Sequence, residues 1–248
     1  MSGFSVGRVL ATSLVLISGA ALAVSWMASE GVEPPTVQTP TIQAVTIGGA
    51  ERASEVSLRH LADLQEGDSL LVDLDAVAGR VRKHPWVDTV AVSRDLSGNV
   101  RIRVTEHEPV MLLAHDGLYR VSASGEVFIK ARSEDLDLPI LTGLDSDLID
   151  THGGVAREVL NHAVALLAAV DEGCDALDPA GLSEIHFDRD LGFSLILRSG
   201  SRVRLGFSPP SDQLARLDAV VRSGLDLNVP HEVDLDMADM AVVKPLAS

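Results

Sequence analysis

The sequence predicts an α+β protein with a single N-terminal transmembrane helix, a small β-α-α-β-β domain, and a larger mixed β-sheet domain with helices on one face. Three observations support this prediction: an uncharged apolar run near the N-terminus, short alternating runs typical of half-buried strands, and longer runs with helical spacing. We therefore divide the chain into a cytoplasmic tail (1–8), a transmembrane helix (9–27), a linker (28–41), a first domain (42–106) and a second domain (107–248).

The N-terminal apolar run covers residues 9–27, none of which is charged. As a helix it would rise about 28 Å, close to the hydrocarbon thickness of a bilayer. Arg8 precedes the run, Trp26 lies near its far end, and Glu30 follows it. Because positive charges favour the cytoplasmic side, we expect a cytoplasmic N-terminus and a periplasmic C-terminus. The chain is thus predicted to be a single-pass protein of the inner (cytoplasmic) membrane.

A cleaved signal peptide is the alternative explanation of this run. Ala21-Leu22-Ala23 has the small-x-small pattern of a cleavage site. The apolar run continues beyond this point through Trp26 and Met27, which favours a membrane anchor. Both alternatives export the remainder of the chain, which starts with a proline-containing linker that has no core-forming pattern.

The first domain begins with a strand predicted at residues 42–47. Two short helices follow, the first starting at Ser54 and the second capped by Asp73 and ended by Pro85. Residues 87–94 are then predicted to form a strand, and a turn separates it from a second strand in which apolar and polar residues alternate.

The second domain opens with a hairpin, predicted from Asp116-Gly117 between two apolar runs. Its best helix covers residues 155–170, and a second helix starts at Ser211. Short strands are expected between and after these helices, at residues 182–187, 193–197, 202–205, 232–235 and 240–244. The inward face of the first helix is predicted to carry Val155, Val159, Leu160, Val164, Leu167 and Ala168.

Composition and motifs argue against several classes of function. The net charge of −16 argues against nucleic-acid binding, because a nucleic-acid binder needs a basic surface. The eight histidines are scattered, and Glu106-His107-Glu108 lies on a strand that directs neighbouring side chains to opposite faces. Cys174 is the only cysteine, and Asp234 and Asp236 form a lone carboxylate pair. We therefore predict no catalytic residue, cofactor, metal or small-molecule substrate.

An ordered set of short motifs carries a resemblance to a known family. The set begins with Lys83-His84-Pro85-Trp86-Val87 and continues with a Glu-x-x-Pro step that ends at Pro109. Later members are residues 138–143, 195–206 and 233–235. Together they resemble the FtsQ (DivIB) family of bacterial cell-division proteins.

The resemblance implies a fold and a function for the chain. The first domain would be POTRA-like, and the protein would be a non-enzymatic scaffold at the division septum. It would bind divisome proteins of the FtsB and FtsL type and help recruit or regulate septal peptidoglycan synthesis. The alternative that we keep is a soluble periplasmic cell-envelope hydrolase released by signal cleavage.

The last strands of the chain are the candidate partner site. A terminal strand often lies at a sheet edge, whose unpaired backbone groups can accept a strand from another protein. The resemblance implies the same mode, with FtsB bound along the strand that follows Val233-Asp234-Leu235. A proline at position 242 is then predicted to weaken partner binding in a folded domain. The alternative is that the apolar residues only pack on the helices. The predicted partner-binding residues are Val233, Leu235, Met237, Met240, Val242 and Val243.

Overall fold

The computed structural model describes residues 39–150, 152–237 and 240–246. The predicted cytoplasmic tail and transmembrane helix, at residues 1–8 and 9–27, lie outside the described residues, as does the linker up to residue 38. Within the described residues, the strands form a small sheet of three strands and a large sheet of nine. The α+β fold predicted from the sequence is therefore confirmed.

The small sheet and two helices form the first domain in the predicted β-α-α-β-β order. Its elements are β1 (Ala44–Gly48), α1 (Glu55–Ala62), α2 (Leu74–Val81), β2 (Val87–Arg94) and β3 (Asn99–Glu106). Strand β3 lies in the centre, parallel to β1 and antiparallel to β2. Its alternation has a direct cause, because Val100, Ile102 and Val104 are buried against the helices while the residues between them are more exposed.

Two carboxylates hold the helical layer of the first domain. The Asp73 carboxylate accepts hydrogen bonds from the N–H groups of Asp75 and Ala76 at 2.9 and 3.2 Å, which confirms the predicted cap of α2. Ser54 occupies the N-cap position of α1, but its side chain makes no capping hydrogen bond. The loop before α1 is held instead by Glu106, at the end of β3.

The large sheet and three helices form the second domain. Its strand order is β12-β11-β10-β9-β8-β7-β4-β5-β6 in the described part of the chain. The sheet is mixed, because the pairs β4–β7, β7–β8 and β10–β11 are parallel and the other neighbours are antiparallel. The strands are β4 (Pro109–Ala114), β5 (Leu118–Ser122), β6 (Val127–Lys130), β7 (Ile140–Thr142), β8 (Leu182–Asp188), β9 (Gly192–Leu197), β10 (Arg202–Gly206), β11 (His231–Asp234) and β12 (Val242–Pro245). The helices are α3 (Ser146–Asp150), α4 (Gly153–Gly173) and α5 (Pro210–Arg222).

The hairpin between β4 and β5 turns at the predicted dipeptide. Asp116 and Gly117 have φ angles of 45° and 138°, which lie in the region that favours glycine and tolerates aspartate. Helix α3 is an element that the sequence pattern did not predict.

Helix α4 packs on the large sheet with a face that overlaps the predicted one only in part. Val159 and Leu160 are buried as predicted, and Val164 and Leu167 are partly buried against the core, but Val155 is 43% exposed and Ala168 is exposed. The helix is apolar around most of its circumference, so hydrophobic spacing alone does not select one face. The face in contact with the sheet includes two alanines, which let the helix approach closely. Its buried residues are Ala156, Val159, Leu160, Ala163, Leu166 and Val170.

Length and composition alone would also allow α4 to cross a membrane. The buried residues of α4 belong to the core of the second domain, together with the inward residues of the strands and of α5. We therefore describe α4 as a core helix.

Candidate partner-binding edge of the large sheet

Strand β12 is the last strand at one end of the large sheet. It pairs with β11 in an antiparallel ladder that joins Asp234 to Val242, Val233 to Val243 and Glu232 to Lys244. In residues 39–150, 152–237 and 240–246 no other strand pairs with β12. The side of β12 that faces away from β11 therefore carries unpaired backbone N–H and C=O groups, which is the chemistry needed to accept an added strand.

The register shows which backbone groups of β12 face outward. Leu246 donates its N–H to the carbonyl of Pro230 at 3.0 Å, which continues the same antiparallel register. Hydrogen-bonded and non-hydrogen-bonded pairs alternate along such a ladder. The N–H groups of Val242 and Lys244 consequently point toward β11, and the N–H of Val243 points outward. A proline at position 243, and not at position 242, therefore removes a backbone donor from the outward edge.

The predicted partner-binding residues divide into two groups in the structure. Val233 and Leu235 are fully buried in the core, because β11 lies between β10 and β12 and directs these side chains toward the helices. Met237, Met240 and Val243 are 60%, 54% and 40% exposed. Val242 is partly exposed, and Leu246, which lies outside the predicted set, is 39% exposed. The accessible apolar surface therefore lies on β12 and on the connection before it.

The opposite face of β11 is polar and charge-paired. Arg204 on β10 donates to the Asp234 carboxylate at 2.9 Å and lies 4.0 Å from Glu232. The three side chains are about one-third exposed. Such pairs contribute about 0–1 kcal/mol to stability, so their main effect here is to offset part of the negative charge beside the edge.

The motif residues near the domain junction serve as packing residues. Trp86, a member of the Lys83-to-Val87 motif, is half-buried where the two domains meet. Its ring lies 5.1 Å from the Arg52 guanidinium, 4.8 Å from that of Arg120 and 5.4 Å from the Phe128 ring. His107 stacks on Phe128 at 4.8 Å and donates its backbone N–H to the Trp86 carbonyl. These contacts join the first domain to strands β5 and β6.

Arg120 is a buried cation at the same junction. Its Nε and Nη2 atoms donate to the Asp135 carboxylate at 2.8 and 2.7 Å. Burial raises the pKa of Asp135, but the hydrogen bonds and charge of Arg120 outweigh burial and hold that pKa below its ordinary value. Arg120 therefore stays paired while its guanidinium plane contacts Trp86.

A groove of about 880 Å³ lies between α4 and the hairpin strands. Its walls are mostly apolar, and the charged or titratable side chains that line it are His115, Glu126 and Arg157, with Tyr119 beside them. A hydroxyl–imidazole contact exists elsewhere, where the Thr142 hydroxyl lies 2.7 Å from Nδ1 of His186 and donates to Glu184. None of these three residues lines the groove, so the contact lies apart from it.

Cys174 and the metal-ligating residue types show no reactive arrangement in the described ranges. Cys174 is buried, and burial together with Asp218 raises the pKa of its thiol to about 11, so the thiolate is scarce at neutral pH. Among the described residues, no three His, Cys, Asp or Glu side chains come together as a metal site would require. The edge at β12 is thus the feature with the clearest binding chemistry.

Comparison with known proteins agrees with this description. Residues 41–107 match the family described as POTRA domain, FtsQ-type, and residues 111–240 match Cell division protein FtsQ/DivIB, C-terminal. The chain is 35% identical to Cell division protein FtsQ of Myxococcus fulvus over 234 residues, covering 91% of this chain and 78% of that protein. It is 35% identical to Cell division protein FtsQ of an Anaeromyxobacter species, covering 75% of this chain and 63% of that protein.

A more distant relative also agrees with this assignment. The chain is 31% identical to Cell division protein FtsQ of Rhodothermus marinus, covering 96% of this chain and 86% of that protein. A solved structure of BamA POTRA3-5 from Haemophilus influenzae aligns with a TM-score of 0.26 at 13% identity, covering 87% of this chain and 99% of that one, which is too low to add to the assignment. The two family matches and the coverage of the relatives place the chain in the FtsQ/DivIB family of cell-division proteins, a family without enzymatic activity.

Proposed function

We propose that this protein is a single-pass inner-membrane scaffold of the divisome. Its exported part binds FtsB-type and FtsL-type proteins at the division septum and so helps recruit or regulate septal peptidoglycan synthesis. The observation that carries this proposal is the outward edge of β12, which combines unpaired backbone groups with the exposed side chains of Met237, Met240 and Val243. Membership of a cell-division family supports a protein partner rather than a small-molecule substrate.

Strand addition is the proposed binding mode. A partner strand laid along β12 would hydrogen-bond to the outward backbone groups, and the apolar side chains beside it would select the partner sequence. The acidic chain as a whole would favour partners with a basic or neutral binding segment, since like charges raise the cost of association.

The proposal is tested by Val243→Pro in the exported part, residues 39–248. Proline removes the outward N–H without breaking the β11–β12 ladder, so we expect a folded domain with partner binding weakened at least tenfold. Binding is measured by calorimetry with the periplasmic segment of the FtsB-type protein from the same organism, and folding by circular dichroism.

Two matched variants separate backbone from side-chain effects. Val243→Ala keeps the N–H and removes only the side chain, so it should lose less affinity than the proline variant. Val242→Pro removes a bond to β11 and should loosen the edge itself. Full binding by a folded Val243→Pro variant would exclude strand addition at β12.

A further inference from the structure

The connection between β11 and β12 is held by one arginine of helix α5. Nη1 of Arg216 donates to the carbonyl of Leu235 at 2.5 Å and to Oε1 of Gln213 at 3.3 Å. Nη2 donates to the carbonyls of Met237 and Met240, the latter at 3.1 Å. A single side chain therefore ties three points of the connection to the helix that packs on the sheet.

The guanidinium is suited to this task by its geometry. Each of the two η nitrogens carries two hydrogens, and each nitrogen has two acceptors here. Gln213 is buried one turn before Arg216, so its side-chain oxygen sets the orientation of the guanidinium plane. A lysine has its donors on one nitrogen and cannot span the same four acceptors.

In the part of the chain that the structure describes, the edge strand has few other attachments. Its ladder to β11 joins four residue pairs, and β11 itself joins β10 through three. Val242 is partly exposed, and the other residues of β12 are exposed, so little apolar burial holds the strand. Hydrogen bonds from a charged donor are among the stronger ones in proteins, and those of Arg216 lie directly before β12.

We infer that Arg216 is the positioning residue that keeps β12 docked on β11 and its outer edge ready for a partner strand. The inference rests on the function proposed for that edge. Arg216 acts through the backbone of the connection and does not itself contact the partner strand. Removing it leaves the core residues in place and lets β12 detach locally.

Hydrogen exchange gives a test that needs no partner. Arg216→Gln removes the guanidinium group that makes the four hydrogen bonds. Arg216→Lys keeps the positive charge but has a single donor nitrogen. In the exported part of each variant, amide exchange is measured for peptides that cover residues 240–246 and, for comparison, β8 and β9. We expect exchange at 240–246 to accelerate about tenfold or more in Arg216→Gln, less in Arg216→Lys, and not at all in β8 and β9.

Arg222→Gln is the matched control. Arg222 lies on the same helix, is exposed, and donates to the carbonyl of Asp218 within that helix. Its replacement should leave exchange at 240–246 unchanged. Calorimetry with the FtsB-type segment should show weaker binding in proportion to the faster exchange, and binding should recover partly in Arg216→Lys.

The outcomes separate this inference from the proposed function. Unchanged exchange at 240–246 in a folded Arg216→Gln variant overturns the inference, whatever the binding result. Faster exchange with full binding also overturns it as a positioning role and points to a different partner surface. If the wild-type chain does not bind the segment, the proposed function fails, and the exchange data still decide whether Arg216 holds β12.

Discussion

At the scale of single residues, Trp86 links the two domains through contacts with charged and aromatic side chains. Arg52 of the first domain approaches the ring, and so do Arg120 and Phe128 of the second. Arg120 is fixed in turn by the carboxylate of Asp135. The ring gains from both guanidinium contacts, because each cation is attracted to the ring's electrons.

Trp86→Ala should lower the stability of the exported part by about 2–4 kcal/mol. This is at or below the usual cost of truncating a large buried aromatic, because Trp86 is only half-buried. The measurement is thermal unfolding of residues 39–248, with Trp86→Phe as the control that keeps a ring against Phe128 and Arg120. An unchanged midpoint in Trp86→Ala would assign Trp86 to surface binding instead of junction packing.

At the scale of elements, Glu106 acts as a cap supplied from a distant strand. Its carboxylate accepts the N–H groups of Glu51, Arg52 and Ala53 at 3.0, 3.0 and 2.7 Å. Burial raises its pKa, but these three hydrogen bonds outweigh burial and leave the pKa of Glu106 below its ordinary value. The end of β3 is thus bonded to the loop that leads into α1.

The Glu106 cap predicts a pH dependence. Because the folded pKa is lowered, the contribution is fully present above the ordinary carboxylate pKa and is lost as the pH falls through the lowered value. Glu106→Gln should cost about 1 kcal/mol at neutral pH, since capping carboxylates contribute about that much, and the cost should become smaller as the solution is made acidic, for example at pH 3. Denaturant unfolding at both pH values checks this, with exposed Glu108→Gln as the control. A pH-independent difference between Glu106→Gln and wild type would contradict it.

The hairpin turn and the alternating strand β3 could be predicted from the sequence because they depend on local features. Asp116-Gly117 needs only its own backbone preference to make a turn, and β3 needs only its own alternation. The inward face of α4 could be predicted only in part, since Val155 and Ala156 are both compatible with an apolar helix and the sheet decides between them.

The partner edge shows the same division. The sequence predicts an edge strand near the end of the chain, and β12 lies at the edge of the described sheet. The burial of Val233 and the outward direction of the Val243 N–H depend on pairing register, which no local pattern contains. The hydrogen bonds from Arg216 to the connection join residues that lie 19 to 24 positions apart, so no local sequence pattern predicts them.

At the scale of the whole molecule, the proposed function requires that residues 9–27 anchor the chain and place both domains in the periplasm. An alkaline phosphatase fused after Ser248 should be active, with the protein in the membrane fraction, because Arg8 precedes an uncharged run long enough to span the bilayer. The control is the same fusion lacking residues 1–27, which should be inactive. Recovery of a soluble chain that starts near Val24 would establish signal cleavage instead.

Pro245 limits the number of hydrogen-bond donors on the outer edge of β12. It lies two residues after Val243 and so faces the same way, but proline has no N–H to offer. Within β12, a visiting strand can therefore accept one main-chain hydrogen bond, from the Val243 N–H, whereas the outward carbonyls of Val243 and Pro245 can both accept hydrogen bonds from it. The outer edge of β12 is thus richer in acceptors than in donors, so an added strand would have to supply most of the N–H groups.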